Sequence, residues 1–465
     1  LAKTCPMIYL LILSSLINML VWLEVESHAK IEVKMPAHVA RYSVHDIRFP
    51  TSHSLDGSDA MNKAPDYSAA YVVLHVDRGA NGHGMTFTIG RGNEICCAAI
   101  AAVADLLVGR EIEGLFADMG ATWKLITGDS QLRWTGPEKG VIHLAAAAVI
   151  NAVWDMYGKH VGLPVWRLIA GMAPNEMVSL VDWRYLSDAL SPSEAIERLQ
   201  DRASGKEARM LEMETTGYPA YTTSAGWLGY SEDKIRPLMR AALADGWTHF
   251  KMKVGGNLED DSRRAAIIRN EIGPDRFLMM DANQVWGVEE AIANMDRLAE
   301  FDPWWIEEPT SPDDILGHAR IARAVSPIKV ATGEHCHNAV MFKQLMQANA
   351  IDVCQVDSCR LAGPNEILGV MLMADKFNIP ICPHAGGVGL CELIQHMSFV
   401  DYIAVSGNLE NRVLEYVDHL HDHFLDPVRT KNGYYLTPQK PGFSVEMKAD
   451  SIINHTFPTG NVWAS

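Results

Sequence analysis

Short apolar segments that each end in an acid recur in the second half of this chain, and this repeat is the feature that most constrains its fold. Asp281, Glu307 and Glu334 close three such segments; the first two acids are 26 residues apart in the sequence and the last two are 27 apart. Each interval fits one strand, one helix and two short loops. Parallel barrel strands are buried, so charge is tolerated where they reach the C-terminal rim. The spacing therefore predicts a β/α barrel with the three acids around one cavity.

Three carboxylates that face one point repel each other, and a hard divalent cation relieves this repulsion. Mg²⁺ takes oxygen ligands and leaves positions for water or substrate. No Cys and His cluster accompanies Asp281, Glu307 and Glu334 in the sequence, which disfavours zinc. A single acid of this kind is more often a solvated loop residue. Three at barrel spacing favour a Mg²⁺ site.

Two lysines precede the acids on one predicted strand. Lys251 and Lys253 are two residues apart, so their side chains share a face. Two neighbouring ammonium groups near a metal are expected to lower the pKa of at least one of them. A lysine in that state is a general base at neutral pH. The alternative is a surface strand with two solvated lysines. It is less favoured because the strand is followed by the three acids Asp281, Glu307 and Glu334.

Two further strand ends carry an acid and a histidine. The run from Val353 ends in Asp357, and the run from Ile379 ends in His384. A carboxylate beside a histidine holds the imidazole in one tautomer and supports its charged form. A lone histidine is more often structural, but the order of lysine, acids and histidine on successive strands favours catalysis.

With these motifs in place, the chain resembles the enolase superfamily, in its mandelate-racemase-like branch, from about Tyr42 to the C-terminus. Longer strings resemble the L-fuconate dehydratase group within that branch. The motifs are K-x-K at 251–253, D-A-N at 281–283, I-E-E-P at 306–309, T-G-E at 332–334 and C-P-H-A-G-G at 382–387; the longer strings are 219–224, 310–318 and 411–419. The resemblance implies an α/β protein, a modified TIM (β/α)7β barrel with an N-terminal α+β capping domain.

The resemblance also implies roles for individual residues. Lys253 and His384 act as acid and base and Asp357 orients His384; which of the two takes the first proton depends on the configuration at C2 and stays open. Glu415 contacts the substrate, with Glu410 as a competing candidate. The predicted substrate-binding set is Lys251, Asn283, Glu415, Thr222, Thr223 and Asp59. The loop 51–68 is expected to close over the site, and Trp134 and Glu138 either approach the substrate or pack at a helix start.

The implied activity is Mg²⁺-dependent dehydration of an acid sugar, with loss of the C2 proton and the C3 hydroxyl to give a 2-keto-3-deoxy sugar acid. L-Fuconate is the expected substrate. A racemase or epimerase of the same superfamily is the nearest alternative, and a non-catalytic barrel that serves as a binding scaffold is a second. The scaffold hypothesis predicts a missing member of the charged set, and none is missing from the sequence.

Composition narrows the class of partner. With 40 basic and 57 acidic residues the formal net charge is −17, which argues against nucleic acid. The expected partners are a small acid sugar and further copies of the chain, not a membrane. The eight cysteines form no paired framework. Buried free thiols indicate a reducing compartment, mitochondrial or cytoplasmic.

The N-terminus is more hydrophobic than the rest of the chain, and it forms the first of four predicted segments. Residues 1–34 form a hydrophobic extension whose core, Met7 to Leu23, is marginal for a membrane span. We expect it to be dispensable or artefactual, but a signal or an anchor stays possible. The capping domain is predicted at 35–173, the barrel at 174–420 and a C-terminal segment that returns to the cap at 421–465.

Local patterns predict several elements of the cap and barrel. Alternation at 71–76 and 85–89 predicts a hairpin around Asn81-Gly82. Helical periodicity covers 98–108 and 141–157. The segment 178–183 is interpreted as the first barrel strand. His419, His421 and His423 alternate as in a small metal site, although a His-rich surface strand is the commoner explanation.

Overall fold

A three-stranded antiparallel sheet begins the part of the chain that the computed structural model describes, residues 36–136 and 138–464. Its strands are β1 (Val39–Arg48), β2 (Ser68–Val76) and β3 (Gly82–Thr88), with β2 in the middle. The pairing of β2 with β3 confirms the predicted hairpin. The apolar segment from Met7 to Leu23 lies outside the described residues.

Four helices complete the cap: α1 (Asn93–Ala104), α2 (Ile112–Ala117), α3 (Met119–Thr127) and α4 (Gly140–Val161). Helix α4 lies against β3, where Gly84 leaves room for its backbone: a Cβ there would come within 2.1 Å of the Ala148 carbonyl oxygen. Among the described helices, α4 alone is long and apolar enough to span a bilayer, but 72% of its most apolar window is buried inside the protein. It is a core helix of the cap.

Four more helices lead to the barrel: α5 (Val165–Gly171), α6 (Pro174–Ser179), α7 (Pro192–Ala203) and α8 (Lys206–Thr216). The prediction of a strand at 178–183 is wrong, because α6 and a following turn occupy this segment. Pro174 stands in the first helical turn and the Glu176 carboxylate accepts a hydrogen bond from the Ala173 amide at 2.7 Å. These helix-start signals outweigh the short apolar alternation.

The barrel begins instead at β4 (Tyr218–Thr222) and continues through five parallel strands in chain order. These are β5 (His249–Lys253), β6 (Phe277–Asp281), β7 (Pro303–Glu307), β8 (Lys329–Thr332) and β9 (Val353–Cys354). A parallel bridge from Cys354 to Ile381 makes the seventh position. From there the Glu415 amide of β10 (Leu414–Tyr416) donates to the Pro383 carbonyl at 3.4 Å, and β10 pairs with β4. The ring is therefore closed, as a (β/α)7β barrel requires.

A helix follows each of the first seven barrel positions. They are α9 (Glu232–Ala244), α10 (Leu258–Ile272), α11 (Val288–Leu298), α12 (Ile315–Val325), α13 (Ala339–Gln347), α14 (Gly363–Phe377) and α15 (Leu390–Val400). Inside the barrel, one buried layer contains Tyr221, Met279, Trp305, Ala331, Val353, Cys382 and Val413. Since side chains alternate along a strand, residues two positions further on lie above this layer, at the C-terminal rim. Asp281 and Glu307 are two of them.

The C-terminal segment contains β11 (Thr430–Lys431), β12 (Tyr434–Tyr435) and α16 (Ala449–His455). The Phe443 amide donates to Asp155 of α4 at 2.8 Å, and the Met447 amide donates to the Tyr71 hydroxyl of β2 at 3.0 Å. These bonds attach the segment to the cap. The division of the chain at residues 173 and 420 stays a prediction.

Candidate active site

Neighbouring barrel strands bring the predicted acids together at the rim. Lys253, Asp281 and Glu307 stand beside one another in the register of β5, β6 and β7. One ligand atom from each of Asp281, Glu307 and Glu334 lies within 4.8 Å of the others, and all three residues are buried. The cluster that the spacing predicted is therefore present.

The chemistry of this cluster fits Mg²⁺. All of its donors are carboxylate oxygens, and Oε2 of Glu334 is buried with no hydrogen bond from a described residue, although Nε2 of His384 lies 3.2 Å away. Burial and the neighbouring carboxylates of Asp281 and Glu415 raise the pKa of Glu307 despite Lys251. A divalent cation with oxygen preference removes this cost. Asp281, Glu307 and Glu334 would hold the ion.

A second group of possible ligands, Glu308, Glu334 and His335, is less suited to a metal. Nδ1 of His335 lies 3.2 Å from Nη2 of Arg360. A guanidinium only donates, so Nδ1 accepts and the proton of a neutral ring stands on Nε2. Burial lowers the pKa of His335 to about 4, so the ring is neutral at physiological pH. Its Nε2 therefore offers no lone pair.

Both lysines lie in the acid cluster. Nζ of Lys251 is 2.6 Å from Glu307 and 2.8 Å from Glu415, and Nζ of Lys253 is 2.5 Å from Asp281. Burial favours a lower pKa for each, but the facing carboxylates outweigh it and the pKa of both lysines is raised. A divalent cation held by the same carboxylates would offset their effect, so the sequence-based expectation of a lowered lysine pKa beside a metal stays a prediction.

His384 is oriented by Asp357, as predicted for this pair. Its Nδ1 donates to Oδ2 of Asp357 at 2.7 Å, while Oδ1 of Asp357 accepts from the amides of Cys359 and Arg360. Nε2 of His384 is 3.2 Å from Oε2 of Glu334. Burial opposes the charge, but Glu334 and Asp357 raise the pKa of His384 to about 9. These two carboxylates favour the charged imidazolium, whereas the Gly386 amide, which donates to Nε2 at 3.2 Å, favours the neutral ring.

Glu415, rather than Glu410, reaches the cluster. Its carboxylate accepts from the Ala385 amide at 2.9 Å and from the Thr223 hydroxyl at 2.6 Å, besides contacting Lys251. Glu410 is exposed. Burial opposes ionisation of Glu415, but Lys251, His384 and Lys253 lower its pKa strongly. Glu415 is thus a buried anion beside the predicted catalytic groups.

A cavity of about 240 Å³ opens over this cluster, between the cap and the barrel rim. Lys253, Asn283, Glu334, Asp357 and His384 contribute to its wall from the barrel, and Asp59 contributes from the loop that follows β1. This loop is tied to the barrel, since Ser58 Oγ donates to the Leu228 carbonyl at 2.5 Å and the Leu228 amide donates to Ser58 at 3.1 Å. The cap thus closes the cavity.

Other predicted contributors lie outside the cavity wall. Thr223 bonds to Glu415 beneath it, and the Thr222 hydroxyl accepts from the Ser224 amide. Trp134 is 98% exposed and does not approach the cavity. The three alternating histidines have separate neighbours: His421 contacts Glu392, His423 contacts Ser451, and His419 stacks on Tyr67. They form no common metal site.

Sequence reasoning missed three residues at the site: Glu308, Arg360 and Tyr67. Glu308 is fully buried beside the acid cluster, and burial raises its pKa well above the usual range. Arg360 donates to the Glu334 carbonyl at 3.1 Å and lines the cavity with Tyr67. Glu308 could have been found from the sequence, because it directly follows the predicted ligand Glu307. No local pattern distinguished Tyr67 or Arg360 from other loop residues.

The fold and the site together define a class of protein. The fold is a closed (β/α)7β barrel beneath an α+β cap, and the site consists of acids on adjoining strand ends, a K-x-K strand and an Asp–His pair. The chain belongs to the enolase superfamily. Its residues 60–170 match the mandelate racemase / muconate lactonizing enzyme N-terminal domain, and residues 234–451 match the enolase C-terminal domain-like family.

Particular relatives agree with this assignment. The chain is 55% identical to human mitochondrial enolase superfamily member 1, over 91% of this chain and 97% of the relative. It is 56% identical to L-galactonate dehydratase of Hypocrea jecorina, over 90% of this chain and 94% of that one. The crystal structure of the human protein superimposes with a TM-score of 0.91, at 54% identity, over 92% of this chain and 98% of that one.

A more distant solved structure bears on the metal. A racemase from Streptomyces coelicolor A3(2) with bound magnesium is 26% identical and superimposes with a TM-score of 0.67, over 88% of this chain and 97% of that one. Together with the all-oxygen donor set, this identifies Mg²⁺ as the cofactor of the site.

Proposed function

We propose that the protein is a Mg²⁺-dependent acid-sugar dehydratase that removes the C2 proton and the C3 hydroxyl of its substrate. The observation that carries this proposal is the placement of Lys253 and His384. Both line one cavity, from β5 and from the seventh barrel position, and each contacts a different acid of the metal cluster. A proton acceptor and a proton donor on separate strands are what an elimination needs.

The metal site serves electrostatic stabilisation. Asp281, Glu307 and Glu334 would hold Mg²⁺, which as a Lewis acid would make the C2 proton of a bound carboxylate substrate more acidic. Lys251 adds a buried ammonium group next to Glu307 and Glu415. Its fixed positive charge stabilises the negative charge that develops on the substrate carboxylate when the proton leaves.

The chain's own groups then move the protons. Lys253 takes the C2 proton. His384, oriented by Asp357, gives its Nε2 proton to the C3 hydroxyl, so that the C3–O bond breaks and water leaves. Return of a proton to C3 converts the enol to a 2-keto-3-deoxy sugar acid. With the opposite configuration at C2, Lys253 and His384 exchange roles in the first step.

The proposed substrates are six-carbon acid sugars, with L-fuconate first. L-Fuconate is 6-deoxy-L-galactonate, and one of the relatives is an L-galactonate dehydratase. The two compounds differ only at C6, so both present the same C2 and C3 groups to Lys253 and His384. Asn283 and Asp59 provide polar cavity wall for the hydroxyl groups, whereas Thr222 and Thr223 act through Glu415 or the backbone.

A racemase of the same class is the second candidate. Two proton-transfer groups on separate strands also serve a 1,1-proton transfer, and a relative of known structure is a racemase. We further propose an intracellular location and a homo-oligomer. The seven cysteines among the described residues are free thiols, six of them buried, and the human relative carries the word mitochondrial in its name.

The test is incubation of the protein and Mg²⁺ with a panel of aldonic and aldaric acids, with 2-keto acid formation as the readout. L-Fuconate and L-galactonate are expected to give product, and EDTA to stop it. Recovery of a C2 epimer without keto acid would replace the dehydratase proposal by the racemase. If neither a keto acid nor a C2 epimer forms from any acid of the panel, the dehydratase and racemase proposals both fail and the scaffold hypothesis remains.

A further inference from the structure

The cap places one phenol hydroxyl in the cavity without a protein partner. Tyr67 stands immediately before β2, is only 3% exposed, and lines the cavity. Its amide donates to the Thr51 hydroxyl at 3.0 Å, but its own hydroxyl makes no hydrogen bond to a described residue. By contrast, the Tyr230 hydroxyl bonds to Asp56 and the Tyr402 hydroxyl to Glu212. A buried phenol normally finds a partner, although the Tyr218 hydroxyl also has none. Tyr67 differs because it lines the cavity, so a ligand there is its available partner.

Two aromatic contacts and a glycine fix the Tyr67 ring. Phe87 meets it edge to face at 5.1 Å, and the His419 ring stacks on it at 5.5 Å. Gly57 lies against the phenol end so closely that a Cβ at this position would come within 2.4 Å of the ring. The side chain therefore has little freedom, and its hydroxyl is held in place before a substrate enters.

These ring contacts also locate Tyr67 relative to the two proton-transfer groups. Phe87 is adjacent to Gly387, close beyond His384, whose Nε2 is 3.2 Å from the Gly386 amide. On the other side, the His419 ring meets Trp227 at 6.4 Å, and Trp227 lies 5.6 Å from Nζ of Lys253. Tyr67 thus lies in the cavity wall between residues that are close to Lys253 and residues that are close to His384.

The surroundings keep this hydroxyl protonated. Burial, together with the carboxylates of Glu415, Asp59 and Glu334, raises the pKa of Tyr67 well above its usual range, and Lys251 only partly offsets this. The phenol therefore keeps its proton at neutral pH and is a hydrogen-bond donor there. It is not an acid or a base in the reaction.

We propose that Tyr67 is a further substrate-contacting residue, whose phenol donates a hydrogen bond to the C3 oxygen of the substrate and holds it as the leaving group toward His384. This inference rests on the proposed dehydratase function. In the step, the C2–H bond breaks to Lys253, the C3–O bond breaks, and His384 supplies the proton that turns the departing hydroxyl into water. Tyr67 keeps its own proton throughout, so atoms and charge balance without another reactant.

The test compares two reactions of Tyr67→Phe in D₂O with L-galactonate or L-fuconate as substrate. Phenylalanine keeps both ring contacts and removes only the hydroxyl, so the fold is preserved. Keto acid formation is expected to fall roughly 10- to 100-fold, whereas exchange of the C2 proton for deuterium changes less than about threefold. Deuterated substrate then accumulates, because the proton leaves and returns before the C3–O bond breaks.

Tyr157→Phe is the matched control. This cap tyrosine stacks on Phe116 at 4.7 Å and is not part of the cavity wall, so the same deletion is expected to leave both rates unchanged. Equal loss of exchange and elimination in Tyr67→Phe would overturn the assignment to the C3 oxygen, and wild-type rates would show that Tyr67 only packs. If the unmodified protein forms no keto acid from any acid sugar, the proposed function itself fails, which is a different result.

Discussion

Lys253 and His384 approach the same cavity from different strands, and this allows their roles to be separated one residue at a time. Lys253→Ala is expected to stop both C2 deuterium exchange and keto acid formation, because the group that takes the C2 proton is gone. His384→Asn is expected to keep exchange and lose elimination by about 10²- to 10⁴-fold. NMR of recovered substrate in D₂O measures both. The reverse pattern would identify His384 as the base.

The adjacent acids Glu307 and Glu308 form a matched pair for locating the metal. Both are fully buried, but Glu307 belongs to the cluster with Asp281 and Glu334, whereas Glu308 accepts from Gln284 at 2.7 Å. Glu307→Gln is expected to weaken Mg²⁺ binding by at least about tenfold, since a charged ligand is lost. Glu308→Gln is expected to change the affinity less than threefold. Calorimetric titration with Mg²⁺ decides; equal losses would contradict this ligand set.

At the level of secondary-structure elements, the contact of α4 with β3 holds the cap together, and it depends on glycine. Gly84→Ala would bring a Cβ to 2.1 Å from the Ala148 carbonyl oxygen, so α4 must move away. We expect the free energy of unfolding to fall by about 3 kcal/mol or more. Gly114→Ala, in α2, meets no atom within 4 Å and is expected to be neutral or stabilising by up to about 1 kcal/mol.

Urea unfolding of both glycine variants measures this difference. If Gly84→Ala and Gly114→Ala unfold at the same urea concentration, the close approach of α4 to β3 does not limit the stability of the cap. The comparison is informative because the chemical change is the same in both variants and only the surrounding space differs.

At the scale of the whole molecule, two neutral histidines, the half-buried His249 and the buried His396, make the fold sensitive to acid. Burial lowers the pKa of His249 to about 4 and that of His396 to about 3. Their folded pKa values lie below the unfolded value of about 6.5, so the unfolded chain binds more protons at low pH. The stability they permit is complete above about pH 6.5 and is lost as the pH falls from there toward 4.

His249→Phe tests this at one position. Phenylalanine keeps the stacking on Phe277, at 4.4 Å, and removes the titrating ring. Between pH 7 and 4.5 the variant is expected to lose about 2 kcal/mol less unfolding free energy than the unmodified chain. Urea unfolding at several pH values gives both curves. Parallel curves would show that His249 does not contribute to the acid sensitivity.

The sequence by itself determined the barrel and the membership of its acid cluster. Asp281, Glu307 and Glu334 follow apolar runs at the period of a β/α unit, and this pattern is local, so it survives without knowledge of the fold. Lys251 and Lys253 share a face for the same reason. Alternation of apolar residues and the turn residues Asn81-Gly82 likewise predicted the hairpin of the cap.

Only the tertiary structure decided what surrounds each group. It placed acids from other strands against the lysines, with Glu307 at 2.6 Å from Lys251 and Asp281 at 2.5 Å from Lys253, and these acids raise the lysine pKa. It brought Glu415 to the cluster and left Glu410 exposed, and it turned Trp134 to solvent. It also set Tyr67 over the cavity. Distances between residues far apart in the chain depend on barrel closure and cap docking, and no local pattern carries that information.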